Sequence, residues 1–322
     1  MTRGRTEIPV VLCLDVEPDA RTFDPQNPGG WDGFERWIET VPLLRERLSQ
    51  ATGAPAAFTW ALRMDPQVAD TWGSPTWVTE TYGDVFAGFL ECGDELGLHT
   101  HDWRWDSDLG DWISRDHDPA WGEHSMGMAF DAFEEAFGHP CAAHRGGDHF
   151  LSEAMFSFLR ERGVKVDMTV EPGKPPAGAA AGEHVHSATP DYRVAPPRPY
   201  RSSPGRFPAP DPASDDDPLL MPMCSAMSRS GRRLPLPIHH GSRRFALRLA
   251  VELLRDPPPV LAFSMRSDMA IKPGWATVEK NLEHLAGHRR MTFVTASAAA
   301  KRFQGANGSD RDAAGYRSAS PG

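Results

Sequence analysis

The stretch ELGLHTHDW, residues 95–103, starts as an apolar strand and ends in two histidines separated by one residue. Because side chains alternate along a strand, this spacing predicts that His99 and His101 point the same way. Two imidazoles presented together are a common way to hold Zn²⁺ or a similar ion. A single histidine here would more often be a core residue, whereas the pair indicates a metal site.

A second apolar strand, VVLCLDVE at residues 10–17, ends in two acids with the same spacing. Pro18 restricts Glu17 to extended geometry, so Asp15 and Glu17 are also expected on one side. Taken alone, the pair is equally compatible with helix capping and loop solvation. With the histidines, Glu17 completes a set of two nitrogens and one oxygen that leaves positions for water and substrate.

The rest of the chain alternates short apolar runs with amphipathic segments, which predicts an α/β fold around a mainly parallel sheet. The predicted strands are Val10–Asp15, Ala56–Ala61, Leu96–His101, Cys141–Gly146, Val164–Val170, Leu219–Met223, Val260–Met265 and Met291–Thr295. The predicted helices are Gly33–Gln50, Tyr82–Asp94, Glu123–Phe137, Glu153–Arg162, Ser242–Arg255 and Thr277–Ala286.

We expect one domain over residues 8–304 and a disordered tail over residues 305–322. A Pro/Gly-rich insertion at residues 172–218 is expected to be an extended loop that shapes a substrate groove, with disorder as the alternative for residues 209–217.

Composition excludes some partners. The formal net charge of -10 over 322 residues disfavours nucleic acid, and the arginines between Arg229 and Arg255 are interpreted as a solvated face. No apolar run approaches the roughly 20 residues of a membrane span, and no signal core follows the N-terminus, so a cytoplasmic location is expected. The four cysteines lack metal-binding or redox spacing.

Four further residues are candidates for the site. Arg145 follows the fourth strand and can orient a catalytic carboxylate, although a structural arginine at the barrel mouth is an equal alternative. Gly146 allows the backbone to pass close to substrate, and Asp167 is an acid within an apolar strand that needs a partner or a purpose. Trp103 follows the histidines and could stack on a sugar ring or pack in the core.

The order of these segments resembles the polysaccharide deacetylase superfamily, carbohydrate esterase family 4. The likeness rests on LDVE at 14–17, ELGLHTH at 95–101, RGG at 145–147 and LRERGVKVD at 159–167, of which the first three are specific. It implies a distorted (β/α) barrel of seven to eight strands. It also implies that Asp15 is the general base, that His99 is a metal ligand and that Arg145 tethers the base.

The sequence departs from the family pattern in three places. Val16 replaces the usual metal-binding aspartate and Trp103 the usual second histidine, so Glu17 and His101 would take those roles, as in an Asp-x-Glu / His-x-His branch. The late strand gives SMRSD at 264–268 where a catalytic histidine is expected. Arg266 could stabilise an oxyanion, and the general acid is missing, is Asp268, or comes from His239 or His240.

The sequence therefore predicts a hydrolase that uses one divalent ion, with zinc expected first and cobalt, manganese or nickel as alternatives. Its substrate would be an amino sugar or glycoconjugate from which an acyl group, expected to be acetyl, is removed. The alternatives are a metal-dependent C–N hydrolase of a non-sugar amide and a carbohydrate-binding barrel that has lost catalysis. The oligomeric state is not predicted.

Overall fold

The computed structural model describes residues 7–177, 188–228, 230–255 and 257–303. The predicted tail at 305–322 and residues 178–187 of the predicted insertion lie outside the described residues. The described part of the insertion carries a short 3-10 helix at Tyr192–Val194 and a bridge between Tyr200 and Leu220.

The strands of the described residues are β1 (Ile8–Val16), β2 (Thr59–Arg63), β3 (Glu95–Thr100), β4 (Trp103–Asp106), β5 (Asp111–Ser114), β6 (Ala143–Gly146), β7 (Val166–Asp167), β8 (Leu219–Leu220), β9 (Ser225–Met227), β10 (Arg233–Pro235), β11 (Leu261–Arg266) and β12 (Met291–Phe293). The helices are α1 (Asp32–Thr52), α2 (Pro66–Trp72), α3 (Trp77–Glu91), α4 (Pro119–Phe137), α5 (Glu153–Glu161), α6 (Ser242–Arg255) and α7 (Trp275–Ala286). Residues 296–303 are also helical.

Seven parallel strands form a curled sheet in the order β11-β1-β2-β3-β6-β7-β8, and β12 also pairs with β1. A parallel bridge between Met223 and Ala262 joins the chain after β8 back to β11. The sheet therefore curves round on itself. The predicted distorted (β/α) barrel of seven to eight strands is confirmed.

Alternation along β1 separates the interior of the barrel from its helical layer. Val11 and Cys13 belong to a small interior cluster, whereas Leu12 packs with the residues of the surrounding helices. The same alternation carries Asp15 and Glu17 to the interior side at the carboxyl end of the strand, where both are buried. Since parallel strands end at the same side of the barrel, polar residues that follow several strands meet there.

The opposite end of the barrel is closed by the helical segment 296–303, whose residues Ala296, Ala299 and Ala300 join the interior cluster. Small side chains suit this narrow interior, as in other closed barrels. No helix within the described ranges combines the length and the apolar character needed to cross a membrane.

Candidate metal centre and active site

Three side chains from the ends of two strands, β1 and β3, converge at the barrel mouth. Nε2 of His99 lies 3.1 Å from Nε2 of His101. Oε2 of Glu17 lies 3.5 Å from the His99 nitrogen and 3.7 Å from the His101 nitrogen. All three residues are buried. The structure therefore brings together the three ligands predicted from the sequence, from positions more than eighty residues apart along the chain.

The spacing of these atoms fits a tetrahedral ion. With metal–ligand bonds of about 2.1 Å, two ligands of a tetrahedral zinc site lie about 3.4 Å apart. The other ring nitrogens are already engaged, because Nδ1 of His99 is 3.0 Å from the carbonyl oxygen of Arg145 and Nδ1 of His101 is 3.5 Å from Oδ2 of Asp148. These contacts orient both rings so that Nε2 faces the common point, as metal-binding histidines require.

Charged neighbours of Glu17 and the burial of His99 favour the protonation states that a metal needs. Burial would raise the pKa of Glu17, but Arg266 and the two histidines hold it well below its usual range, so the carboxylate is ionised. Burial lowers the pKa of His99, against the opposing effects of Asp15 and Glu17, which favours the neutral ring. An ionised carboxylate and a neutral imidazole are the forms that bind a divalent ion.

Asp15 and Arg145 form a pair beside the ligands. Nη2 of Arg145 is 3.5 Å from Oδ2 of Asp15, and both side chains are almost fully buried. Both line a cavity of about 250 Å³ at the barrel mouth, together with Arg266. The carboxylate of Asp15 is thus oriented by a cation and open to a cavity, as a general base requires.

Arg266 and Asp268, at the end of β11 and just after it, form ion pairs and hydrogen bonds with several neighbours. Nε of Arg266 lies 3.1 Å from Oε1 of Glu17 and 3.3 Å from Oδ1 of Asp268, while its Nη2 donates to the carbonyl oxygen of Pro18 at 3.2 Å. The other oxygen of Asp268 is bound by Lys272. Arg266 therefore holds the candidate ligand Glu17 in place, and both oxygens of the Asp268 carboxylate are bound by cations.

The three residues predicted to contact substrate are all buried in this structure. Trp103 is buried with its ring 3.8 Å from that of His101, so it supports the ligand. Asp167 is fully buried and binds Nδ1 of His144 at 2.7 Å. A Cβ on Gly146 would lie 2.2 Å from the carbonyl oxygen of Phe150, so this glycine permits a close backbone approach within the protein.

Two important residues were missed at the sequence level. Arg63, at the end of β2, places Nη1 3.3 Å from Oε2 of Glu17 and is itself held by Asp65 through two hydrogen bonds. Asp148 contacts His101 and forms an ion pair of 2.6 Å with Arg21. Arg63 ends β2 and Asp148 lies just after β6, so both stand where strands of the barrel end. The strand-end argument that found Asp15 would have found Arg63 had the predicted strand been extended to residue 63.

Comparison with known proteins places the fold. No family model and no curated protein matches the chain. Among solved structures, several proteins share this fold, a polysaccharide deacetylase among them, which bears out the predicted resemblance at the level of the fold. A probable polysaccharide deacetylase from Pseudomonas aeruginosa PAO1 has a TM-score of 0.54 at 13% identity, covering 91% of this chain and 90% of that chain.

Two other structures share the fold. Puue allantoinase has a TM-score of 0.53 at 11% identity and covers 94% of this chain and 92% of that chain. A 4-alpha-glucanotransferase from Thermococcus litoralis has a TM-score of 0.50 at 12% identity and covers 92% of this chain but 40% of that chain. Because these names denote different reactions, the chemistry of this chain has to be argued from its own residues.

Proposed function

We propose that this protein is a metal-dependent hydrolase that removes an acyl group, expected to be acetyl, from an amino sugar or a small glycoconjugate. The observation that carries the proposal is the convergence of Glu17, His99 and His101, with 3.1 to 3.7 Å between their facing atoms. The pair of Asp15 and Arg145 lines a cavity at the same end of the barrel. The ion proposed is zinc, with cobalt, manganese or nickel as alternatives.

A bound divalent ion would polarise the acyl carbonyl and lower the pKa of a water molecule toward about 7. Protein side chains supply the proton transfer and the electrostatic stabilisation. Asp15 takes a proton from the attacking water, and Arg145, whose Nη2 lies 3.5 Å from Oδ2 of Asp15, keeps that carboxylate oriented. Arg266 contributes positive charge at the cavity wall, where negative charge develops on the carbonyl oxygen.

The size of the cavity bears on the substrate. About 250 Å³ accommodates a small group, such as one acylated ring, rather than several units of a polymer. A cytoplasmic location, as predicted from the sequence, also favours a soluble conjugate, a nucleotide sugar or a lipid-linked precursor over a mature cell-wall polymer.

A second candidate is the hydrolysis of a C–N bond in a small non-sugar amide. The lining of the cavity favours it, because none of the described residues that form the lining is a tryptophan or tyrosine on which a sugar ring would stack. Arg145, Arg266 and Lys272 instead present hydrogen-bond donors suited to a compact polar substrate.

The test is to incubate the purified protein with Zn²⁺, Co²⁺ or Mn²⁺ and to measure acetate release from N-acetylated sugars and ring opening of cyclic amides. We expect Asp15→Asn to lower kcat by about 10²–10⁴-fold, since the base is lost, while its metal content matches the wild type. Metal binding without hydrolysis of any amide or ester in a broad panel would contradict the proposal.

A further inference from the structure

Cleavage of an amide requires a proton on the departing nitrogen, because an amine anion is too basic to leave. Asp15 has the opposite task of accepting a proton. Asp268, the acid nearest the end of β11, is bound by Arg266 on one oxygen and by Lys272 on the other. An arginine does not release its proton at neutral pH, so Arg266 does not supply it either.

Two histidines line the cavity together with Asp15. One of them, His149, is committed elsewhere: its Nδ1 is 3.1 Å from the carbonyl oxygen of Thr169 and its Nε2 is 3.8 Å from Oε2 of Glu171. Burial lowers the pKa of His149 to about 4, so this ring is neutral near pH 7 and carries no spare proton.

The other histidine, His239, lies between β10 and α6. Its neighbour Ile238 is buried, whereas the residue itself is exposed at the cavity mouth. Burial of part of the ring lowers the pKa of His239 below its usual value, but the exposed ring can still take up a proton from solvent between turnovers. This combination is what an acid that must be recharged after each reaction needs.

The backbone on both sides of His239 is held by one buried side chain. Nδ2 of Asn281, on α7, donates to the carbonyl oxygen of Ile238 at 2.6 Å and to that of His240 at 2.7 Å. Asn281 is fully buried, so it is a fixed anchor within the core. The imidazole of His239 is therefore placed by a rigid element, although it arises from a loop.

We propose that His239 is the general acid of the hydrolase, an inference that rests on the proposed function. As water attacks the acyl carbon, its proton passes to Asp15. As the C–N bond breaks, the imidazolium of His239 gives a proton to the departing nitrogen. The products are a carboxylic acid and an amine, and a proton transferred through solvent from Asp15 to His239 restores both residues.

The test compares two probes that share an acetyl group but differ in their need for an acid. The amine of 4-nitroacetanilide must be protonated to leave, whereas the phenolate of 4-nitrophenyl acetate leaves without a proton. We expect His239→Gln to lower kcat/KM for the anilide by about 10²–10³-fold and to leave the ester rate within about threefold of the wild type. His139→Gln, at an exposed position outside the cavity lining, is the control and should retain both rates.

The outcomes separate the two proposals. If His239→Gln keeps the anilide rate, or loses both rates equally, His239 is not the acid, although the hydrolase proposal stands. If the wild type, loaded with metal, hydrolyses neither probe nor any member of the substrate panel, the hydrolase proposal fails and the inference fails with it. Metal content and thermal unfolding of His239→Gln should match the wild type, which excludes a general loss of structure.

Discussion

Glu17 is the residue on which the candidate site depends. Its Oε1 is bound by Arg266, while its Oε2 faces both histidines and lies 3.3 Å from Arg63. A buried carboxylate would be costly without partners, and Arg266 and the two histidines keep the pKa of Glu17 well below its usual range. The arginines that contact Glu17 also place positive charge near the proposed ion, and this charge repels the ion. The affinity for metal therefore depends on two opposing effects: the three converging ligands raise it and the nearby arginines lower it.

At the same scale, His149 makes stability depend on pH. Its pKa falls from 6.5 to about 4 in the folded protein because burial disfavours the charged ring. As the pH falls, His149 therefore takes up a proton in the unfolded chain before it does so in the folded protein. The stability that the neutral ring contributes is complete above about pH 6.5 and is lost as the pH falls toward 4. Between pH 7 and pH 5 we expect a loss of about 2 kcal/mol in the free energy of unfolding from this residue.

Urea unfolding at both pH values checks this expectation. His149→Asn suits the left-handed backbone at this position, where φ is 61°, and should flatten the pH dependence. His139→Asn, at an exposed position, should leave it unchanged. An equal pH slope in His149→Asn and the wild type would be inconsistent with a neutral, partly buried His149.

At the scale of elements, the strand ends were the predictable part of the site. The predicted strands Val10–Asp15 and Leu96–His101 correspond to β1 (Ile8–Val16) and β3 (Glu95–Thr100). Because side chains alternate along a strand, these predicted strands were enough to tell which side chains point into the barrel interior. A shift of two residues in β2, predicted to end at Ala61, concealed Arg63. Small boundary errors therefore matter most where a strand delivers a functional residue.

The burial of individual polar and aromatic side chains could not be predicted from the sequence. Trp103 and Asp167 have side chains that suit substrate contacts, but tertiary packing turns the first against His101 and the second toward His144. Neither pattern nor propensity shows which side of a hairpin or a barrel wall a polar group will face. The short helix α2 and the hairpin of β4 and β5 were also absent from the predicted elements, because each is too brief to show a hydrophobic period.

The turn after β6 brings Gly147 close to the ring of His101, and this contact can be tested by mutation. A Cβ at Gly147 would lie 2.3 Å from Nε2 of His101, so Gly147→Ala must displace either the ring or the turn. We expect zinc affinity to fall by about 10–100-fold, as when a metal ligand loses its orientation. Competition titration with a chromogenic chelator measures the change.

Gly127 provides the control for this substitution. It lies within α4 and a Cβ there would meet nothing within 4 Å, so Gly127→Ala should bind zinc like the wild type. The helix itself should gain about 0.5–1 kcal/mol in stability from this change. If Gly147→Ala binds zinc as tightly as Gly127→Ala, the close approach of the turn to His101 is not what orients the ligand.

At the scale of the whole molecule, the ligands tie together distant parts of the barrel. Glu17 follows β1, whereas both histidines belong to the region of β3, and β2 lies between these strands. Closure of the barrel through Met223 and Ala262 holds these strand ends in a fixed relation. An ion bound across them would therefore bind the folded state and not the unfolded chain, which couples metal affinity to global stability.

This coupling predicts a thermal shift. At a free zinc concentration one hundred times Kd, binding adds about 2.7 kcal/mol, which for a chain of this size raises Tm by roughly 4 °C. Glu17→Gln and His99→Ala should show no such rise, whereas His139→Ala, an exposed histidine, should behave like the wild type. The comparison is made within each variant, with and without zinc, because loss of Glu17 also leaves Arg63 and Arg266 without their shared partner. A rise in Glu17→Gln equal to that of the wild type would show that zinc binds elsewhere.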